Sequence, residues 1–334
     1  MSKLRKILLP FSLLYGGVMA VRNILYDRGI LESSSFSTPV ICVGNLSVGG
    51  TGKTPMIEYL LQLLLPKYRL ATLSRGYGRK TKGYLELKGN EQAEQVGDEP
   101  LQFKVKFPQV HITVDEDRRN GITHLISAHQ PDIILLDDAF QHRKVKSGLN
   151  ILLTAYNSIY AEDFVLPAGN LREPRSGASR AKIIVVTKCP VDLSFEKQEQ
   201  IRKKLRLEKD QNLHYSYIKY AEEVKNEETG VSLEALKEQR FTLVTGIAKP
   251  DSLITFLKAK GLDFDHLKFP DHHNFTTKDL EKISKAPFVL TTEKDYMRLK
   301  DLKHSKLFYI PIKMDFLNSN RAFDEEVLSF LHEK

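Results

Sequence analysis

Ser47-Val-Gly-Gly-Thr-Gly-Lys-Thr54 follows the apolar run Pro39-Val-Ile-Cys-Val-Gly44 and leads into a helical pattern from about Lys53 to Leu65. This is the order in which a P-loop is built: strand, glycine loop, helix. The usual pattern is G-x-x-x-x-G-K-[ST], and Ser47 stands where its first glycine would be. Gly49, Gly50 and Gly52 let the N–H groups of Ser47, Val48, Gly49, Gly50, Thr51 and Gly52 turn toward phosphate oxygens. The helix that starts at Lys53 adds its positive N-terminal end. Lys53 would neutralise the β- and γ-phosphates of ATP or GTP, and the Thr54 hydroxyl would ligate Mg²⁺. Pro55 fits the first helical turn, where an N–H is not needed.

A P-loop needs a second acid at a strand end to hold Mg²⁺. Ile133-Ile-Leu-Leu-Asp137-Asp138 supplies it. Neighbouring side chains on a strand point oppositely, so both acids reach the site only if Asp138 has left the strand. Further apolar runs at 70–74, 111–114, 150–154, 183–187, 241–246, 288–291 and 307–310 read as strands. Helical patterns at 117–128 and 249–260 lie between them. The charged stretch 196–209 mixes both signs and reads as a solvated helix. This alternation implies an α/β fold, a P-loop NTPase-type, mainly parallel sheet covered by helices on both faces. A smaller C-terminal α/β lobe is expected. The divisions read as 1–35, an N-terminal helix and connector; 36–220, the nucleotide-binding core; and 221–334, the smaller lobe.

The chain has 334 residues, 41% of them hydrophobic, enough for a large core. Its net charge of +8 suits an anionic partner without choosing one. A nucleic-acid role has least support, because no RNP or helix-turn-helix pattern accompanies the basic excess. Cys42 and Cys189 each lie at an apolar run and read as buried thiols of a reducing compartment. Met1 to Arg28 combines Lys3, Arg5, Lys6, Arg22 and Arg28 with an apolar stretch from Ile7 to Val21. That stretch is short of the roughly 20 residues that span a bilayer. It reads either as a helix packed on the core or as an interfacial helix at an anionic lipid surface.

Several segments, taken together, resemble the tetraacyldisaccharide 4'-kinase (lipid A 4'-kinase) family. They are Val43–Pro55 with its variant P-loop, Ser74-Arg-Gly-Tyr-Gly-Arg79, Val96-Gly-Asp-Glu-Pro100 and Asp137-Asp-Ala-Phe-Gln-His142. Leu166-Pro-Ala-Gly-Asn-Leu-Arg-Glu-Pro174, Phe269-Pro-Asp-His-His-Asn-Phe275 and Thr291-Thr-Glu-Lys-Asp295 follow in the same order. Ala139 and Asn170 depart from the expected residues, and neither is an obvious chemical participant. The resemblance implies transfer of the ATP γ-phosphate to the 4'-hydroxyl of a tetraacylated glucosamine disaccharide 1-phosphate. It also implies a monotopic enzyme on the cytoplasmic face of the inner membrane of a Gram-negative bacterium, which favours the interfacial helix.

On the residues alone, Asp98 reads as a helix N-cap. The resemblance instead pairs it, as base, with His272, with His273 as the alternative. Glu99 joins Thr54, Asp137 and Asp138 as a metal candidate. Arg172 would clamp a phosphate bidentately, although Arg172 and Glu173 also read as a surface ion pair. Arg75, Arg79, Arg118, Gln141 and Glu173 complete the set assigned to the acidic lipid substrate. Thr187-Lys188 and Thr292–Asp295 are candidates for the adenine. The competing readings are another P-loop enzyme, of ligase or GTPase type, and a non-catalytic nucleotide-dependent membrane module.

Overall fold

A computed structural model of the chain describes residues 3–302 and 304–332; for Lys3 and Lys6, two of the expected basic residues, the side chains lie outside the description. The first strands are β1 (Val40–Asn45), β2 (Leu70–Ser74), β3 (Leu85–Glu86), β4 (His111–Val114), β5 (Ile133–Asp137), β6 (Leu149–Ala155), β7 (Ile183–Thr187) and β8 (Asn212–Tyr220). They are followed by β9 (Glu223–Lys225), β10 (Gly230–Ser232), β11 (Phe241–Thr245), β12 (Phe264–Lys268), β13 (Val289–Thr292), β14 (Leu307–Ile310) and β15 (Ile312–Phe316).

Among the described residues a nine-stranded sheet runs β15-β8-β7-β6-β1-β5-β2-β4-β3. Its seven central strands are parallel, and β15 and β3 pair antiparallel at the two edges. β1, β2, β5 and β7 are buried along their whole length, as strands covered on both faces must be. Alternation divides their side chains between two cores. Ile41, Val43, Ile133 and Leu135 face Met56, Leu60 and Leu64 of the helix Lys53–Leu64. Val40, Cys42, Ile134 and Leu136 face Ile122, Leu125, Ile201 and Leu205 on the opposite side. Both cysteines are buried and free.

The chain leaves this sheet after β8 and builds a second one, β10-β9-β14-β13-β11-β12, with its own core of Leu243, Leu257, Phe288, Leu290 and Phe308. It then returns. Residues 312–332, placed with the smaller lobe by the sequence pattern, add β15 and the helix Asn320–His332 to the first sheet. Phe323 of that helix stacks on Phe316 with 4.5 Å between centroids and meets Tyr59 edge-on. The lobes also touch where the helix Asp98–Lys106 packs on the helix Glu293–Leu299.

The helix Leu9–Asp27 has an inverted pattern. Its buried residues are polar, Ser12 and Asn23, while Phe11, Leu13, Leu14 and Val18 are more than 60% exposed. Hydrogen bonds hold it down. Ser12 Oγ accepts from Ala168 N at 2.8 Å, and Tyr15 Oη donates to the Arg172 carbonyl at 3.0 Å. Asn23 Nδ2 donates to Glu173 at 2.8 Å. No helix among the described residues is long and apolar enough to cross a membrane.

Candidate active site

The glycine loop leaves β1 and closes on the helix Lys53–Leu64. Gly49 and Gly52 take φ values of 105° and 88°, which only glycine adopts without strain. Ser47 has no positive φ, so a side chain is tolerated where the common motif has glycine. It forms a bridge with Leu171, and Val48 N donates to the Asn170 carbonyl at 2.8 Å. From β7 the Thr187 hydroxyl and the Lys188 ammonium donate to the carbonyls of Thr51 and Gly50, both at 2.7 Å. Thr187-Lys188 thus braces the loop's backbone.

Asp137 ends β5, and Asp138 lies beyond it with φ 49°, so the chain turns there and both acids face the loop's cation. Lys53 Nζ is 3.7 Å from Asp138 Oδ1. Arg172 grips both Asp138 oxygens, at 2.7 and 3.2 Å, and also contacts the carbonyl and side-chain oxygens of Asn45. These cations outweigh burial and hold Asp138 below the usual carboxylate range. Asp137 has the opposite fate. Burial and then the neighbouring Asp138 charge push it up to about 7. Its Oδ2 receives only a long contact from Ser74, 3.4 Å, and its Oδ1 has no hydrogen-bond partner among the described residues.

A second acidic corner begins at Gly97, whose φ of 94° breaks the backbone before the helix Asp98–Lys106. Gly97 is the N-cap, and Asp98 makes no capping bond. Its carboxylate turns instead to the second lobe. Arg298 Nε donates to Oδ1 at 2.9 Å, Arg298 Nη2 contacts Oδ2, and His272 Nδ1 lies 3.1 Å from Oδ2. Burial opposes ionisation, but Arg298 and His272 overcome it and hold Asp98 down at about 2. His272 adopts φ 55°, an uncommon backbone state for a non-glycine residue. Its Nε2 lies 2.9 Å from the Lys294 ammonium. Arg298 Nη2 also approaches His272 Nδ1, at 3.3 Å, so the ring is held between two cations and the Asp98 carboxylate. His273 points elsewhere, to Asp279 at 2.9 Å.

The other expected residues divide by surroundings. Arg75 is exposed. Arg118 is buried behind Asp137 and donates to the Asp115 carbonyl at 2.9 Å. Arg79 is occupied by Glu116 and the Gly83 carbonyl. Gln141 bonds the Asn45 carbonyl at 2.9 Å and Glu173 at 2.8 Å. Glu173 is 1% exposed and satisfied by Asn23, Gln141 and Arg180, so it ties the N-terminal helix to the site's floor. Glu99 pairs with Lys294 at 2.8 Å.

The model of the tetraacyldisaccharide-1-P 4'-kinase family matches residues 4–332. The chain belongs to this family. Similar curated proteins named tetraacyldisaccharide 4'-kinase occur in Flavobacterium johnsoniae, 53% identical over 100% of this chain and 99% of the relative, and in Bacteroides fragilis, 41% identical over 99% and 94%. A crystal structure of LpxK from Aquifex aeolicus in complex with ATP superposes with a TM-score of 0.79 at 31% identity, covering 98% of this chain and 99% of that one. The α/β fold with a mainly parallel sheet is the family's own. Within this frame, sequence reasoning missed Arg298, Lys294 as a partner of His272, and Asn45. Arg298 follows Lys294 by four residues, one helical turn, so both project from one face of the helix that opens at the Thr-Glu-Lys-Asp segment.

Proposed function

We propose that this ATP-dependent kinase transfers the γ-phosphoryl group of ATP to the 4'-hydroxyl of a tetraacyl glucosamine disaccharide 1-phosphate, in lipid A biosynthesis. The observation that carries the reading is the Asp98–His272 pair, which joins the two lobes, with Glu99 beside Asp98 near enough for its charge to act on Asp137. The hydroxyl oxygen bonds to the γ-phosphorus, the bond to the bridging oxygen of ADP breaks, and the hydroxyl proton passes to the Asp98–His272 pair. Phosphoryl transfer has a loose transition state, so the proton leaves late and a weakly basic carboxylate suffices. Lys53 and the loop's N–H groups hold the phosphates, and Arg172 lies beside them to bind phosphate oxygens.

The donor set fits Mg²⁺: a buried Asp137 oxygen without a partner, a carboxylate resisting ionisation, and the Thr54 hydroxyl on the first helical turn. Thr54 and Asp137 would hold the ion, with Asp138 beside them. When bound it would draw charge from the phosphate oxygens. Glu99 serves Lys294, and Arg118 serves Asp137, more directly than either serves a ligand. We assign nucleotide binding to 36–220 together with 312–332, and the histidine arm to 221–311.

The test is transfer of labelled γ-phosphate to the disaccharide lipid. The parent should label it, Lys53→Ala should not, and Asp98→Ala should lose about 10²–10⁴-fold. No labelled lipid from the parent would end the kinase reading, whereas full activity in Asp98→Ala would end only the choice of base.

The lipid acceptor also calls for a membrane surface on the cytoplasmic side. The support is the outward apolar face of Leu9–Asp27 with Arg22 and Arg28 near its end. Phe11→Asp with Leu14→Asp should abolish flotation with anionic vesicles while soluble ATP binding persists; unchanged flotation would remove the helix from that role.

A further inference from the structure

A cluster that phosphoryl transfer leaves unused lies at the outer edge of the first sheet. Glu86 ends β3, His111 opens β4, and His129 ends the helix Arg118–His129. The P-loop sits at the carboxyl ends of the parallel strands, whereas His111 stands at an amino end, so the cluster is at the opposite rim of the sheet. His111 Nδ1 is 2.8 Å from Glu86 Oε1, and His129 Nε2 is 2.8 Å from Glu86 Oε2. The imidazoles stack with centroids 3.7 Å apart and 21° between planes. One ligand atom from each residue lies within 4.8 Å of the other two. The side chains of His111, Glu86 and His129 are 37%, 33% and 22% exposed, so water reaches the group.

We propose that Glu86, His111 and His129 form a binding site for a divalent transition-metal ion of the zinc class, with water completing the coordination. The donors decide the class. Two imidazole nitrogens and one carboxylate suit zinc, cobalt or nickel, whereas Mg²⁺ prefers oxygen alone. The set therefore differs in chemistry from the all-oxygen site at Asp137 and Thr54. The geometry is close to what is needed. Tetrahedral zinc with bonds of about 2.0–2.1 Å holds its ligand atoms about 3.4 Å apart. Three half-exposed side chains reach that spacing by small rotations about their own bonds. The ion would replace the two imidazole–carboxylate contacts that now join the group. It would bind β3, a two-residue edge strand, to β4 and to the end of a neighbouring helix, a structural rather than catalytic role.

The test uses the full chain, stripped with chelator and titrated with ZnCl₂ or CoCl₂ in excess Mg²⁺. The site predicts one zinc per chain, a visible Co²⁺ absorption of tetrahedral intensity, and a zinc-dependent rise in thermal midpoint. Glu86→Gln and His129→Asn, each checked by far-UV circular dichroism, should weaken zinc binding about 10-fold or more and lose the thermal response. Absence of stoichiometric zinc binding by the parent overturns the proposal. So does zinc binding that both variants retain at parental strength, because the ion would then sit elsewhere. Glu86→Gln remains decisive if His129→Asn does not fold.

Discussion

Asp98 and Asp137 are each 7% exposed, yet they titrate in opposite directions. Burial pushes both upward. Asp98 is met by a guanidinium and an imidazole and falls to about 2. Asp137 is met by a second carboxylate, whose own cations, Lys53 and Arg172, are already engaged, and rises to about 7. The residue is the same; the partners differ, and Asp137 is also the more deeply enclosed. At one corner the protein supplies the countercharge from its own chain. At the other it leaves a carboxylate suited to a metal ion.

The largest effect expected is at the metal corner. Asp137→Asn removes the charge of the ligand proposed for Mg²⁺ and should reduce transfer by about 10³-fold or more, several kcal/mol of transition-state stabilisation. The same substitution should stabilise the metal-free fold at pH 8. A carboxylate whose folded pKa is raised adds stability fully present below about 3.8 and lost as pH climbs through about 7. Asparagine has no such loss. Urea midpoints of chelator-treated protein should therefore favour the variant at pH 8 and converge at pH 4. Adding Mg²⁺ should bring the parent up at pH 8. A parent midpoint that stays flat with pH would break the comparison.

A third acidic group shows what happens when a cation is shared. Lys106 bridges Glu58 at 2.6 Å and Glu293 at 2.8 Å, joining the P-loop helix to both helices at the lobe contact. Burial and the neighbouring Glu58 still push Glu293 up, to about 7, against Lys106. One cation between two buried acids is less than each needs. Lys106→Met should cost about 3–5 kcal/mol at pH 8, because it strands buried charge. That penalty should shrink toward pH 5. Raised glutamates take up protons there, and their stability contribution is lost only as pH rises. Equal penalties at the two pH values would mean that packing, not charge, dominates.

The sheet was legible because its strands are short apolar runs that burial on both faces requires. β8, β12 and β15 were not, since Asn212–Tyr220, Phe264–Lys268 and Ile312–Phe316 are only partly buried and carry mixed polar residues. The return of residues 312–332 to the first sheet depends on Phe316 and Phe323 finding Tyr59, a contact between residues far apart in sequence. The phosphate loop and Asp137 were readable because their chemistry is local. Arg298 was not readable, because it meets Asp98 only across the lobes, 200 residues apart. Glu173 read as a substrate contact from its loop, but it is itself buried and three donors claim it.

Arg298 therefore offers the finest test of the contrast between the two aspartates. Arg298→Gln keeps a donor near Asp98 but removes the charge. The burial that now opposes ionisation would then prevail, and the Asp98 pKa should climb from about 2 into the range above 4. Asp98 must be ionised to accept a proton. The parent's rate should show no acidic limb from this residue between pH 4 and 8, whereas the variant should acquire one. At pH 8 both keep the carboxylate charged, so the loss in kcat should stay below about 10-fold, growing as the pH drops. The stability linked to the lowered Asp98 pKa, shared by Arg298, His272 and Lys294, is present above about 3.8 and lost only as pH falls through about 2, so Arg298's part of it is missing from the variant across the assay range without changing the shape of its rate profile. A residue that merely supported the fold would lower the rate by one factor at every pH. A variant profile parallel to the parent's would thus show that Arg298 holds Asp98 in place without setting its charge.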